Sequence, residues 1–436
     1  MRNKALFIAA AAVVLSGTSA ANACEICFNP HLPQPPGGGF GGGSSTTSGL
    51  VTPAYSSRPS AAATLFLDLD GIVYDGTWAG KTPGTVPAYD TDGDPTTFSA
   101  NELASIREIY IRVAEAFSPF NINVTTVDPG DFTQARLNTR VIIGGDNSWY
   151  GGAGGVAYVG GFTWDDGDFT GRTAWAFPQN LGGGYAKYVA DATIHEAGHQ
   201  FGLAHQSAFD DEGNLTDPYR RSLDGGLTAP NMGVAYAAVR GLWSDGPRNS
   251  SSGPQQQLDL DILTSTWDNR VNYPYSSYYN GFGLREDDWG DSLSEAADLV
   301  PDASGLTAAG VIELSTDTDV FRFTATGGFV DIEVDGAEFG QMLDIVLNLY
   351  DVWGDLLHTD NPALTLSPEE NYGLDASFSG ELAAGHYFLE VGSNGGYGDI
   401  GQFFVTVTGA VLVPEPGAFS LAALVAVGLG LRRRRA

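Results

Sequence analysis

Three of the six histidines in this 436-residue chain stand in one eleven-residue window, His195-Glu196-Ala197-Gly198-His199-Gln200-Phe201-Gly202-Leu203-Ala204-His205. Residues four apart share a helix face, so His195 and His199 can present their imidazoles to one ion. Tyr188 to Ile194 supplies the earlier turns of such a helix, and Val189, Ile194, Ala197 and Phe201 offer apolar surface to bury it. Gly202 can adopt the positive φ that ends a helix, which lets the chain turn and brings His205 to a third corner. Three neutral imidazoles leave one tetrahedral position open for water, the arrangement of a catalytic Zn2+. Glu196 points about 100° around the helix from His195. It is therefore a candidate general base that takes a proton from that water as it attacks a carbonyl and passes it to a leaving amine. The implied chemistry is metal-assisted hydrolysis of a protein or peptide. The full spacing would arise by accident in such a chain with a probability of roughly 10⁻⁵.

The elements that must position this window precede it. Leu65 to Leu69 reads as a strand, Ala100 to Phe117 as a helix with apolar residues at Leu103, Ile106, Ile109, Ile111 and Val113, and Val124 to Val127 and Arg140 to Gly144 as two further strands. This order predicts an α/β (α+β) domain over residues 62–283 with a mostly parallel, twisted sheet. After Tyr279 the texture changes to short alternating strands separated by Gly, Asp and Asn turns: Asp319 to Thr324, Phe329 to Val334, Ile345 to Tyr350, His386 to Val391 and Gln402 to Val407. An all-β sandwich is expected over 284–410.

The two ends carry targeting signals. Arg2 and Lys4, the apolar run from Ala5 to Leu15 and Ala21-Asn22-Ala23 read as a removable signal peptide, residues 1–23, so export is expected. Residues 24–61 are rich in Pro, Gly, Ser and Thr and read as a leader or linker; Cys24 and Cys27, the only cysteines, fit a small local disulfide. At the far end Val413-Pro414-Glu415-Pro416, an apolar run from Gly417 to Leu431 and Arg432 to Arg435 make up residues 411–436. This order suits a transmembrane helix that anchors the chain transiently. The formal charge of −31, from 52 acidic and 21 basic residues, repels phosphate backbones and excludes nucleic acid as a partner.

Several of these stretches resemble known families. His-Glu-x-x-His-x-x-Gly-x-x-His is the pattern of the metzincin zinc peptidases, which implies a methionine turn beneath the metal; Met232 in Asn231-Met232-Gly233 occupies that place. Metzincins with a tyrosine near the zinc have it two positions after the methionine, whereas Tyr236, the candidate transition-state donor, follows by four. Gly154-Gly155-Val156-Ala157-Tyr158-Val159-Gly160 is similar to the Gly-x-Ala-Tyr-Val-Gly strand of the reprolysin branch, which implies that Gly155, Val156, Ala157 and Tyr158 form an edge strand that pairs with an extended substrate. An interior strand is the alternative.

Asp319 to Phe323, Leu347 to Asp351 and Gly385 to Leu389 resemble the bacterial pre-peptidase C-terminal domain, an accessory module of secreted proteases. The tail resembles a PEP-CTERM sorting signal, which implies export in a Gram-negative bacterium, to the cell surface or beyond, and a processing enzyme of the exosortase type as partner.

Asp90, Asp92 and Asp94 alternate as in the start of a calcium loop but lack its glycine at position six and glutamate at position twelve, so an acidic turn and a Ca2+ loop both stay open. Asp165 to Asp168 and Glu286 to Asp291 are weaker versions of the same pattern. Two other functions are compatible with the chain: a cell-surface binding or adhesion protein with a vestigial zinc site, and a zinc amidase acting on cell-wall peptides.

Overall fold

The computed structural model describes residues 50–412 except 166, 168, 223, 269, 270, 274 and 275. The signal peptide, both cysteines and the apolar sorting tail therefore lie outside the described residues. Among the described residues no helix is long and apolar enough to cross a membrane.

The first body is built on β1 (Ala63–Asp68), β2 (Ile72–Tyr74), β3 (Gly84–Val86), α1 (Ala100–Phe117), β4 (Ile122–Thr125), β5 (Asn138–Ile143), β6 (Gly155–Val156), β7 (Thr173–Ala176) and α2 (Ala186–Gln200). Five of them form one sheet in the order β4-β1-β5-β7-β6, with every pair parallel except the edge strand β6, which runs antiparallel to β7. Its parallel strands are buried, as expected when both faces are covered. Side chains of period two divide between those faces. Leu65, Leu67, Val141, Ile143, Ala174 and Ala176 pack with the two helices, whereas Ile142 and Trp175 pack with Ile72, Trp78 and Val86 of the β2–β3 hairpin and its neighbouring turn.

Helix α1 starts where its sequence directs. Ser99 and Glu102 form a reciprocal capping box, and Ile106, Ile109 and Val113 bury one stripe. Helix α2 is apolar or tightly packed on almost every side, so it lies in the interior and its two histidines are carried into the core. It ends at Gly202, whose φ of +99° turns the chain so that the N–H of Leu203 reaches back to the carbonyl of Gly198 at 3.0 Å.

Residues 55–57, at the C-terminal end of the stretch read as a leader or linker, lie against the first body. Ser57 N–H donates to Val124 O at 3.0 Å, Tyr55 N–H donates to Thr126 Oγ1 at 2.8 Å, and the Tyr55 ring stacks on Tyr110 at 4.7 Å. These contacts reach β4, the residue after it and α1, all far along the chain, which a composition without apolar period does not reveal.

The second body holds two facing sheets, of six and five strands. The five expected strands are present within one or two residues at each end, and Leu306–Ile312, Leu356–Asp360 and Ala376–Leu382 join them. Those three lack a run of β-branched or aromatic residues, and pairing with better strands holds them in place. Phe321, Phe323, Ile332, Val334, Leu347, Leu349, Leu389 and Val405 interdigitate between the sheets.

The two bodies share a buried polar seam. Glu115 of α1 accepts from Met342 N–H at 3.1 Å, from Gln402 N–H at 3.2 Å and from Gln402 Nε2 at 3.0 Å. Arg240 Nη1 donates to Met342 O at 2.6 Å and to Asp399 Oδ1 at 2.9 Å. Met342 and Ile400 complete the first body's hydrophobic core.

Candidate metal centre

Helix α2 places His195 and His199 one turn apart, and the turn at Gly202 returns the chain so that His205 meets them. His199 Nε2 lies 3.0 Å from Nε2 of His195 and 3.0 Å from Nε2 of His205. All three rings are buried, at 9%, 0% and 2% exposure in chain order. His195 Nδ1 faces the carbonyl of Asn231 at 2.8 Å, and His199 Nδ1 faces the carbonyl of Leu203 at 2.7 Å. A carbonyl only accepts, so in both rings Nδ1 carries the proton and Nε2 is a bare lone pair. Two lone pairs at 3.0 Å repel instead of hydrogen-bonding, and a cation between them removes the conflict. This donor set, three nitrogens and no thiolate, fits zinc with a position left open.

Burial pushes the His195 pKa down to about 4 and holds His199 and His205 well below the ordinary histidine value, with the neighbouring imidazoles adding to the effect on the last two. In the metal-free chain each ring is thus held neutral. Its contribution to stability is complete above the unfolded value near about 6.5 and is lost as pH falls toward the depressed folded value, about 4 for His195. Denaturant melts of metal-free protein are expected to weaken steadily through this window; a flat profile would mean that the imidazoles are hydrated.

Glu196 is buried beside the triad. Its Oε2 has no hydrogen-bond partner, and burial raises its pKa well above the carboxylate range. The edge strand backs this side chain closely: a Cβ on Gly155 would sit 2.7 Å from both Cγ and Oε1 of Glu196 and 2.8 Å from Trp175 O. Gly155→Ala is therefore expected to displace the carboxylate and lower turnover by about 10-fold or more, given the sensitivity of such groups to misplacement by an ångström. A variant with wild-type kcat would show that the carboxylate has slack.

The other candidates fall in different places. Met232 is fully buried beneath the helix, its Sδ 2.5 Å from where a Cβ on Gly198 would lie. Tyr236 packs on Tyr188 at 5.2 Å between ring centroids, and its hydroxyl lies 3.5 Å from a Cβ built on Gly154; burial, and then the nearby Asp191 and Glu196 carboxyls, raise its pKa. The edge strand consists of Gly155 and Val156 alone. Ala157 is buried behind it, and Tyr158 turns away to pack on Trp78 and Trp164, at 4.7 and 4.9 Å.

Asp90, Asp92 and Asp94 do not converge as one set. The Asp94 carboxylate accepts from Thr96 and Thr97, while Asp90 and Asp92 gather with Glu102, which is already engaged by the N–H groups of Thr91 and Ser99. The local turn bonds of Thr96 and Thr97 compete for Asp94. Of Asp165 to Asp168, residues 166 and 168 lie outside the described residues. The boundary acids converge more closely: Asp287 and Asp291 meet Asp317, and Asp287 and Asp288 meet Asp319 at the start of the strand Thr318–Ala325, with ligand atoms of each trio within 4.8 Å.

One residue near the triad escaped the sequence reading. The ring of Tyr219 lies 4.3 Å from that of His205. No spacing rule links it to the motif, and only the folded path of the following loop brings it there.

Residues 121–206 match the family model of the reprolysin-like metallopeptidases of family M12B. This match supports a zinc-dependent metalloprotease acting on protein or peptide. Among solved structures, the pre-peptidase C-terminal domain of a collagenase from Bacillus anthracis is similar at 20% identity, covering 24% of this chain and 89% of that chain with a TM-score of 0.18. No curated protein matches the chain.

Proposed function

We propose that this protein is an exported zinc endopeptidase of the metzincin type, in which His195, His199 and His205 hold the metal and Glu196 is the general base. The observation that carries the proposal is the set of facing Nε2 lone pairs, with Nδ1 of His195 and His199 anchored on carbonyls and a buried, unpartnered carboxylate oxygen beside them. Zinc, when bound, supplies Lewis acidity that brings the pKa of water toward about 7 and polarises a carbonyl. Glu196 takes the proton of the attacking water and hands it to the departing amine. Gly155 and Val156, on the sheet edge against Glu196, offer backbone groups to an extended peptide. Tyr236, with its hydroxyl near Gly154, stands on the same side and is a candidate donor to the developing oxyanion.

The PEP-CTERM-like tail and signal peptide complete the proposal: export in a Gram-negative bacterium, transient membrane attachment and trimming by an exosortase. The mass of the mature protein tests both ends. Zinc content together with turnover of casein, an unfolded substrate, tests the activity; a zinc-loaded chain inert on every unfolded protein sinks the peptidase reading and leaves the amidase or the binding protein.

Calcium belongs at the domain boundary in this proposal. Asp319 is fully buried, both of its oxygens lack a partner, and burial with the nearby Asp288, Asp317, Asp287 and Asp291 pushes its pKa up to about 9. A cation there relieves the repulsion. Calcium at about 100 times its Kd is expected to add about 2.7 kcal/mol to stability. Melts with and without calcium check this, and an unmoved midpoint removes calcium from the account.

A further inference from the structure

We infer that Tyr219 is a positioning residue of the metal centre, its tilted ring holding the His205 imidazole at the angle from which Nε2 joins the other two ligands. The inference rests on the zinc reading above.

Two of the three ligands stand on helix α2, and His205, also buried, lies on the loop beyond it, so its direction is set by what packs around that loop. Tyr219 is buried, and its ring centroid lies 4.3 Å from that of His205 at an interplanar angle of 48°, and 6.3 Å from that of His195. It therefore walls the loop ligand from outside the helix.

The strap that carries Tyr219 is stitched on both sides. Arg220 N–H donates to Gln206 O at 2.6 Å, one residue past the ligand, and Ser207 Oγ donates to Pro218 O at 2.9 Å. On the other side Val234 N–H donates to Arg220 O at 3.0 Å, and Gln206 N–H closes the set on Met232 O at 2.8 Å. Asp217 Oδ1 accepts from Tyr219 N–H at 3.0 Å and fixes the turn. The strap approaches the methionine turn so closely that a Cβ on Gly233 would lie 2.1 Å from Arg220 O. None of these bonds involves a metal, so the wall stands before the ion arrives. Such preorganisation of a ligand by its supporting shell sets metal affinity.

The test uses the full chain, with zinc affinity read by chelator competition and the cobalt-substituted protein read by its visible absorption. Tyr219→Ala is expected to weaken zinc binding about 10-fold to 100-fold and to shift the cobalt bands. Tyr219→Phe, which keeps the ring, should restore both to wild type. Tyr219→Leu keeps the space filled without a flat face and carries the same comparison should the alanine chain fail to fold; weakened binding is expected there too. Wild-type affinity and bands in the alanine or leucine chain overturn the inference. So does a phenylalanine chain as weak as alanine, which would assign the role to the hydroxyl. A wild type that binds no zinc defeats the zinc reading itself, so the two failures are told apart.

Discussion

Glu196→Gln is expected to lower kcat on casein by about 10³-fold while the protein keeps its zinc and its stability, in the middle of the 10²- to 10⁴-fold range of general-base losses. Glutamine matches glutamate in volume, so the tight space against Gly155 stays filled and no cavity opens. Oε2 of Glu196 has no hydrogen-bond partner to lose. Burial already disfavours the charged carboxylate, so a neutral amide does not cost folding energy there. The three imidazoles keep their anchors, since Asn231 and Leu203 contribute backbone carbonyls. Only the ability to accept a proton is removed. Parallel assays of metal content, melting and casein cleavage separate the outcomes; a variant that keeps its zinc and more than a small fraction of wild-type turnover would take the general-base role from Glu196.

Arg240→Ala is expected to cost about 3–5 kcal/mol of stability, the loss typical when one partner of a buried ion pair is deleted. Arg240 is 5% exposed and lies in the seam between the two bodies, with Asp399 at 2.9 Å and Asp344 at 3.9 Å. Asp399 is held from several sides, accepting also from Asp344 N–H at 2.6 Å and Ser393 Oγ at 2.9 Å, so it cannot swing out to water. Deleting the guanidinium leaves two buried carboxylates facing one another without a cation. The consequence reaches the metal. Arg240–Leu242 pairs in parallel with Thr228–Pro230, and the next residue, Asn231, accepts from His195. Urea melts at neutral pH should show the loss, and chelators should strip zinc from the variant more readily. A change below about 1 kcal/mol would show that the seam admits water and is worth no more than a surface pair.

This seam alters the picture of the sandwich. The resemblance of Asp319 to Phe323, Leu347 to Asp351 and Gly385 to Leu389 to a pre-peptidase C-terminal domain implied an accessory module. In the structure Met342 and Ile400 enter the first body's core, and Glu115, buried on α1, draws its hydrogen bonds from the sandwich. Its pKa, pushed up to about 7 by burial, reflects how completely that contact excludes water. Nothing around Glu115 in sequence signals this, because its partners are more than two hundred residues away.

What the residues determined by themselves is whatever depends on short spacing. The four-residue interval between His195 and His199, the glycine that ends their helix, the capping box at Ser99 and Glu102 and the period-two strands of the sandwich are local geometry, fixed by 3.6 residues per turn and by alternation across a pleat. What the tertiary structure alone decided is whatever joins distant segments. It placed Tyr219 against His205, Gly155 against Glu196, Tyr55 beside β4, and Asp319 among the boundary acids. A contact across a long loop leaves no periodic trace in the chain, because it is selected by the packing of whole elements and by the cost of burying polar atoms without partners.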